Sequence, residues 1–271
     1  MRMVSAWLAA ATLVFAGCLS VENSLVYHPA PSDAAAESPP RPIQDVELKL
    51  ADGTKIHARW APHPSATEAI LFCHGNGGNI EGWGGTVREV HQQMNASVLI
   101  FDYPGYGRSA GKPSEAGCYA AAEAAYRWLT EVAKLPPERI LLWGESLGGG
   151  VAVELASRKP HRALVLVRTF TSLPEVADDQ LPLLPCSSLM TNRFNSLERI
   201  GLCKSPVFIA SADQDRLMQL RHGQRLHAAC TAPTELCILR GLGHNDPLPI
   251  GFYNSLRAFL TAKAPGERTA N

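Results

Sequence analysis

Five stretches of the chain, 69–73, 97–101, 139–143, 163–167 and 207–210, together with 236–239, are almost wholly apolar and only four or five residues long. A strand with one wet face alternates apolar and polar residues; an unbroken run predicts burial on both faces, as in a parallel sheet covered by helices. Upstream the pattern does alternate. Val46, Leu48 and Leu50 are interleaved with charged residues, Asp52-Gly53 supplies a turn, and Ile56, Ala58 and Trp60 resume the alternation, which predicts an antiparallel hairpin. Helix-like segments at 83–93, 115–134, 147–158, 220–229 and 246–260 separate the apolar runs. Strands alternating with helices predict a doubly wound, mostly parallel α/β sheet, whose chemistry collects at the carboxyl ends of its strands. Residues 171–200 break the alternation and carry Leu181-Pro182-Leu183-Leu184-Pro185, so a short cap insertion over those strand ends is expected there.

Unusual residues fall where such a sheet would place its chemistry. Gly144-Glu145-Ser146-Leu147-Gly148 lies between an apolar run and a helix. Small residues two before and two after the serine let strand and helix approach closely, so a sharp turn can project the hydroxyl outward. Asp213 and Asp215 follow the run at 207–210, and His244 follows 236–239 inside Gly241-Leu242-Gly243-His244-Asn245-Asp246. The order serine, aspartate, histidine suits acyl transfer: Ser146 attacks, His244 takes and returns the proton, and a carboxylate holds the second imidazole nitrogen. Asp215 is the favoured acid, because an apolar pair follows Asp215-Arg216, and Asp213 is the alternative. His74-Gly75-Asn76-Gly77-Gly78-Asn79 follows the run at 69–73, so the backbone N–H groups of Asn76 and Leu147 are the candidate oxyanion donors. His74 itself reads as a structural hydrogen-bonder.

Composition removes several classes. Twenty-five basic residues balance 25 acidic ones, and they are scattered without a basic stripe, so no nucleic-acid surface is expected. Neither His-Glu-x-x-His nor paired-cysteine spacing occurs, so neither metal nor cofactor is expected. At the N-terminus, Arg2, the apolar stretch 4–15 and Ala16-Gly17-Cys18 read as a cleaved export signal over 1–17. Phe15-Ala16-Gly17-Cys18 also resembles a bacterial lipobox, which implies lipidation of Cys18 and association with a cell-envelope membrane through that anchor. Residues 18–44, rich in Pro, Ala and Ser, read as a tether that is extended from His28 to Pro42; the segment from Glu22 to Tyr27 has enough apolar character to dock, and a solvated tail is an equal alternative there. The domain itself is expected over 45–264, with a tail at 265–271. Beyond Cys18, six cysteines allow disulfides in an exported protein. Cys230 with Cys237 is the first expectation and Cys186 with Cys203 the second, while Cys73 reads as a buried thiol.

From about Asp45 to Leu260 the chain resembles the α/β-hydrolase superfamily, in its depalmitoylase-like, serine-aminopeptidase-like branch. Besides the motifs above, the loop from Asp102-Tyr103-Pro104-Gly105-Tyr106-Gly107 to Ser114-Glu115, the stretch Phe170-Thr171-Ser172-Leu173 and the stretch Asn192-Arg193-Phe194-Asn195-Ser196-Leu197 carry that resemblance. It implies an α/β-hydrolase fold and a serine hydrolase acting on a small-molecule or acyl ester or thioester through an acyl-enzyme. A peptidase or amidase on the same fold is one alternative, for which the cap acids Glu175, Asp178 and Asp179 are the hint; a silent lipid-anchored binding protein is another. Ser211 departs from the branch, which usually has glycine before the acid.

Overall fold

In the computed structural model, which describes residues 22–32, 42–181, 183 and 186–262, the apolar runs form the middle of an eight-stranded sheet. The export signal, Cys18 and the C-terminal tail lie outside the described residues. The strands are β1 (Gln44–Lys49), β2 (Lys55–Ala61), β3 (Ala69–Cys73), β4 (Ser97–Phe101), β5 (Ile140–Glu145), β6 (Ala163–Val167), β7 (Val207–Ala212) and β8 (Thr234–Leu239). They lie in the order β8-β7-β6-β5-β3-β4-β2-β1. All neighbours are parallel except β1 with β2 and β2 with β4, so the hairpin sits antiparallel at one edge. From β3 the chain steps to β4 on one side and then returns to β5 on the other. The loops leaving β3 and β5 therefore part and open a crevice at their carboxyl ends.

Helices cover both faces. α1 (Gly84–Met94) and the last helix, α8 (Ile250–Ala262), bury Val87, Val90, Phe252 and Leu256 against Ile70, Phe72 and Trp143. On the other face α2 (Glu115–Arg127), α3 (Leu147–Ala156) and α7 (Leu220–Ala229) pack on Leu71, Cys73 and Leu142. Each strand from β3 to β7 is buried at every position, as their composition demands. β8 differs from expectation: it is the sheet's edge and most of its residues are half-buried. The last helix starts at Ile250 rather than at 246, because Pro247 and Pro249 disfavour helical geometry in the residues before them. The cap contributes α4 (Leu173–Gln180) and the short helices α5 (Cys186–Leu189) and α6 (Ser196–Ile200). Among the described residues no helix is long and apolar enough to cross a membrane.

Two expectations are corrected by packing. Residues 28–32, expected to be extended tether, continue the docked segment 22–27 into one strap on the domain. Residues 22–26 are helical, Tyr27 is buried with its hydroxyl donating to Asn192 Oδ1 at 2.7 Å, and His28–Pro29 pairs in parallel with Gly77–Gly78. Burial opposes ionisation of Glu22, but backbone and side-chain donors from Thr191 and Asn192 win and hold its carboxyl below the usual range. The second correction concerns the disulfides, since Cys203, Cys230 and Cys237 are all free thiols. Cys230 packs with the α3 side of the sheet and Cys237 with the α8 side, so the sheet itself separates them. The side chain of Cys186 lies outside the described residues. Ser211, the family departure, is accommodated by Gly223 on α7, where a Cβ would lie 1.9 Å from the Ser211 hydroxyl.

Candidate active site

Ser146 occupies the turn between β5 and α3 with φ 53° and ψ −118°, a region that non-glycine residues rarely adopt. That strain costs about 1–3 kcal/mol, and three successive glycines in the following helix add about 1 kcal/mol each. Burial outweighs both. Every residue of α3 is buried, and burying Leu147, Val151, Val153 and Leu155 stabilises by about 1.5–3 kcal/mol apiece. The glycines are required by contact: a Cβ on Gly148 would stand 2.0 Å from the carbonyl oxygen of Cys73, and one on Gly144 would stand 2.4 Å from that of Gly148. Thr169 Oγ1 donates to the Ser146 carbonyl at 2.8 Å, and Ser146 N–H to Val167 O at 3.0 Å, which fastens the turn to β6.

The structure brings three of the expected residues together. His244 Nε2 lies 3.1 Å from Ser146 Oγ, and its Nδ1 lies 2.7 Å from Asp215 Oδ2. The Asp215 side chain is fully buried, and its other oxygen accepts the N–H groups of Leu217 (2.9 Å) and Met218 (2.8 Å). Asp213 is not part of this relay. Its Oδ1 accepts the N–H of Gly241 at 2.6 Å, at the start of the loop that carries His244.

This arrangement bears comparison with known proteins. The model of the alpha/beta hydrolase fold family matches residues 68–194. An uncharacterized protein of Mycobacterium tuberculosis (strain ATCC 25618 / H37Rv) is 36% identical over 251 residues, covering 90% of this chain and 89% of that protein. Human alpha/beta hydrolase domain-containing protein 17B is 32% identical over 199 residues, covering 73% of this chain and 68% of the relative. The chain belongs to the α/β-hydrolase family. Among solved structures, an esterase of Pyrococcus furiosus superposes with a TM-score of 0.73 at 20% identity, over 88% of this chain and 98% of the esterase. Est1E of Butyrivibrio proteoclasticus with bound ferulic acid gives 0.67 at 18%, over 80% and 98%. At such identities these two show the shared fold.

In this α/β-hydrolase the loop after β3 lies against the serine. A Cβ on Gly75 would stand 3.5 Å from Ser146 Cβ and 2.9 Å from the Trp83 ring. His74 is buried among Trp83, Tyr103 and Tyr106, and burial holds its imidazole below the ordinary histidine value. Its Nδ1 is 2.7 Å from the Gly75 carbonyl, and Tyr103 donates to its own carbonyl at 2.7 Å. The side chain of Asn76 is held by the strap: its Nδ2 donates to Val26 O, and its Oδ1 accepts from His28 N–H (3.3 Å) and from Tyr106 OH (2.9 Å). Leu147, as the first residue of α3, carries an N–H that the helical ladder leaves unused.

The motif loops of the resemblance interlock at the base of the cap. The Glu115 carboxylate accepts N–H groups of Arg193 (2.6 Å) and Phe194 (2.9 Å), Leu173 N–H donates to Arg193 O, and Leu197 N–H to Thr171 O. Two of the three cap acids are turned to α7. Glu175 pairs with Arg225, and Asp179 with Arg221 and with His222, whose Nε2 lies 3.0 Å away.

Sequence reasoning missed one pair. Glu145 and Arg168, both buried, form an ion pair of 2.7 Å directly beside the serine turn. The only signal was Glu145 closing an apolar strand; Arg168, just past the end of β6, offered none.

Proposed function

We propose that this α/β-hydrolase is a serine hydrolase of the depalmitoylase-like branch, cleaving carboxylic esters or thioesters through an acyl-enzyme. The observation that carries it is the continuous relay from Asp215 through His244 to Ser146, with steps of 2.7 and 3.1 Å. Asp215 holds the Nδ1 proton, so Nε2 is free to accept the serine proton as Oγ attacks the acyl carbon. Negative charge then develops on the carbonyl oxygen, where the N–H groups of Asn76 and Leu147 serve as donors. The imidazolium returns its proton to the departing alkoxide or thiolate. A water molecule activated by the same imidazole releases the acid and regenerates Ser146. The hint toward a peptidase weakens, because two of its three acids, Glu175 and Asp179, are engaged by arginines of α7.

The test is reaction with a fluorophosphonate probe alongside turnover of p-nitrophenyl butyrate and of a short acyl thioester. Ser146 is expected to be the labelled residue, and Ser146→Ala to lower kcat by about five orders of magnitude or more. A folded wild-type protein that takes no label, or that hydrolyses only aminoacyl amides, would overturn the reading.

We also propose that the enzyme is exported and held at a membrane by lipid on Cys18. The support is the apolar stretch ending in Ala16-Gly17-Cys18. Radiolabelled palmitate is expected to enter the wild-type protein in bacteria and to be absent from Cys18→Ala; equal labelling of the two would remove the anchor.

A further inference from the structure

His244 sits on a loop, and a loop holds its geometry only as well as its anchors do. Three anchors are local to the neighbouring loops: Gly241 N–H to Asp213 Oδ1, Gln214 N–H to Leu242 O at 3.0 Å, and Gly243 N–H to Asp246 Oδ2 at 2.7 Å. The fourth comes from outside. Arg168, immediately after β6, donates through Nη1 to Asp246 O at 2.5 Å, with Gly243 O at 3.4 Å, and through Nη2 to Glu145 Oε1 at 2.7 Å. Gly243 and Asp246 bracket His244, while Glu145 immediately precedes Ser146. One guanidinium thus spans the loop of the base and the strand of the nucleophile.

Stability does not account for this arrangement. Arg168 has φ 49°, a left-handed conformation costly for a side chain of its size. Both partners are buried, and a buried ion pair is commonly no more stabilising than apolar residues of the same volume. A planar fork reaching two carbonyls and a carboxylate together is something arginine supplies and lysine does not.

We propose that Glu145 and Arg168 are positioning residues for acyl transfer, fixing the His244 loop relative to Ser146 and presenting to the imidazole a pair of balanced charge. The inference rests on the serine-hydrolase reading. The charged and titratable groups around the pair are Glu89 from α1, Tyr253 from α8 and Asp246 from the loop itself. These three and the pair line a cavity of about 320 Å³, and Asp215 faces the imidazole from the β7 side. Burial pushes the Glu145 carboxyl up and Arg168 opposes it. When His244 takes up the serine proton, Glu145 favours the resulting imidazolium and Arg168 disfavours it. Removing one member unbalances the field, besides loosening the loop.

The experiment compares Arg168→Lys, Arg168→Met, Glu145→Gln and Ser146→Ala in the full-length protein. It measures kcat and KM for p-nitrophenyl butyrate, the pH dependence of fluorophosphonate labelling, and thermal unfolding. Arg168→Met is expected to lower kcat about 100-fold and Arg168→Lys about 10-fold, with KM within about twofold, because misplacement of the base acts on the transition state. Glu145→Gln keeps an acceptor for Arg168 but removes the anion near the imidazole. Its acid limb is expected to move to lower pH by about half a unit, a shift that a merely structural role would not produce. If Ser146→Ala is inactive while Arg168→Lys and Glu145→Gln match the wild type in kcat and pH profile, whatever their melting temperatures, the positioning role falls and the serine mechanism stands. If Ser146→Ala retains activity, the underlying reading fails instead.

Discussion

Replacing Asp215 with asparagine is expected to lower kcat by about three to four orders of magnitude, whereas Asp213→Asn should leave it within about threefold. Two backbone donors, the N–H groups of Leu217 and Met218, hold Asp215 Oδ1. In Asp215→Asn those donors keep the amide oxygen, and the amide NH2 group is turned toward His244 Nδ1. The imidazole must then accept at Nδ1 and carry its proton on Nε2, where it donates to Ser146 and cannot take the serine proton. The variant should therefore fold normally and fail chemically. Asparagine at 213 can still accept the Gly241 N–H through its own carbonyl oxygen, so the loop stays anchored. Turnover of p-nitrophenyl butyrate by the two variants reads this directly. Similar losses in both, or the larger loss at 213, would reject the assignment of the acid.

Gly148→Ala should be among the most damaging single-methyl additions available to this chain. The added carbon would lie 2.0 Å from Cys73 O, 2.5 Å from Cys73 C and 2.6 Å from His74 O. All three are backbone atoms at the end of a central strand, so no rotamer change relieves the contact. A cost of about 3 kcal/mol or more in urea unfolding is expected, with loss of fluorophosphonate labelling as the turn is forced open. Gly251→Ala is the control. Nothing lies within 4 Å of its Cβ position on the exposed start of α8, so alanine there should be neutral or slightly stabilising. A Gly148→Ala protein that melts and reacts like the wild type would mean that the elbow does not pack on β3 as described.

What the chain discloses locally and what it withholds follow from where each element finds its partners. The runs at 69–73, 97–101 and 163–167 match the observed strands to the residue, because burial on both faces leaves Ser97 as their single polar position. β8 is apolar for a different reason: it is an edge whose residues face one layer and the rim, and composition does not distinguish the two cases. Docking was legible only for 22–27, from its apolar side chains; the course of 28–32 was hidden, because the strap's hydrogen bonds run to residues 48 to 170 positions away, on Asn76, Gly78 and Asn192, and no periodicity marks them. Pairing Cys230 with Cys237 failed on closeness in sequence, which says nothing about opposite faces of a sheet. The serine turn and the histidine loop were legible because tight backbone approach demands glycine nearby. Arg168 was not, since a lone arginine after a strand looks the same whether it meets solvent or a catalytic loop.

The strap changes the mechanics of the proposed anchor. A flexible tether over 18–44 would let the domain roam about 30 Å from its lipid, taking about 5–6 Å times the square root of the residue number. With residues 22–32 bound to the β3 loop and to the cap exit, only four residue steps separate Cys18 from the first docked side chain, Glu22. Fully extended, those steps span at most about 14 Å. A lipid at Cys18 would then act as a short leash in place of a long one, keeping Glu22 and the domain bound to it within that reach of the bilayer. Substrates carried in that same leaflet would then meet an enzyme confined to their own surface, whereas soluble ones would have to diffuse to it.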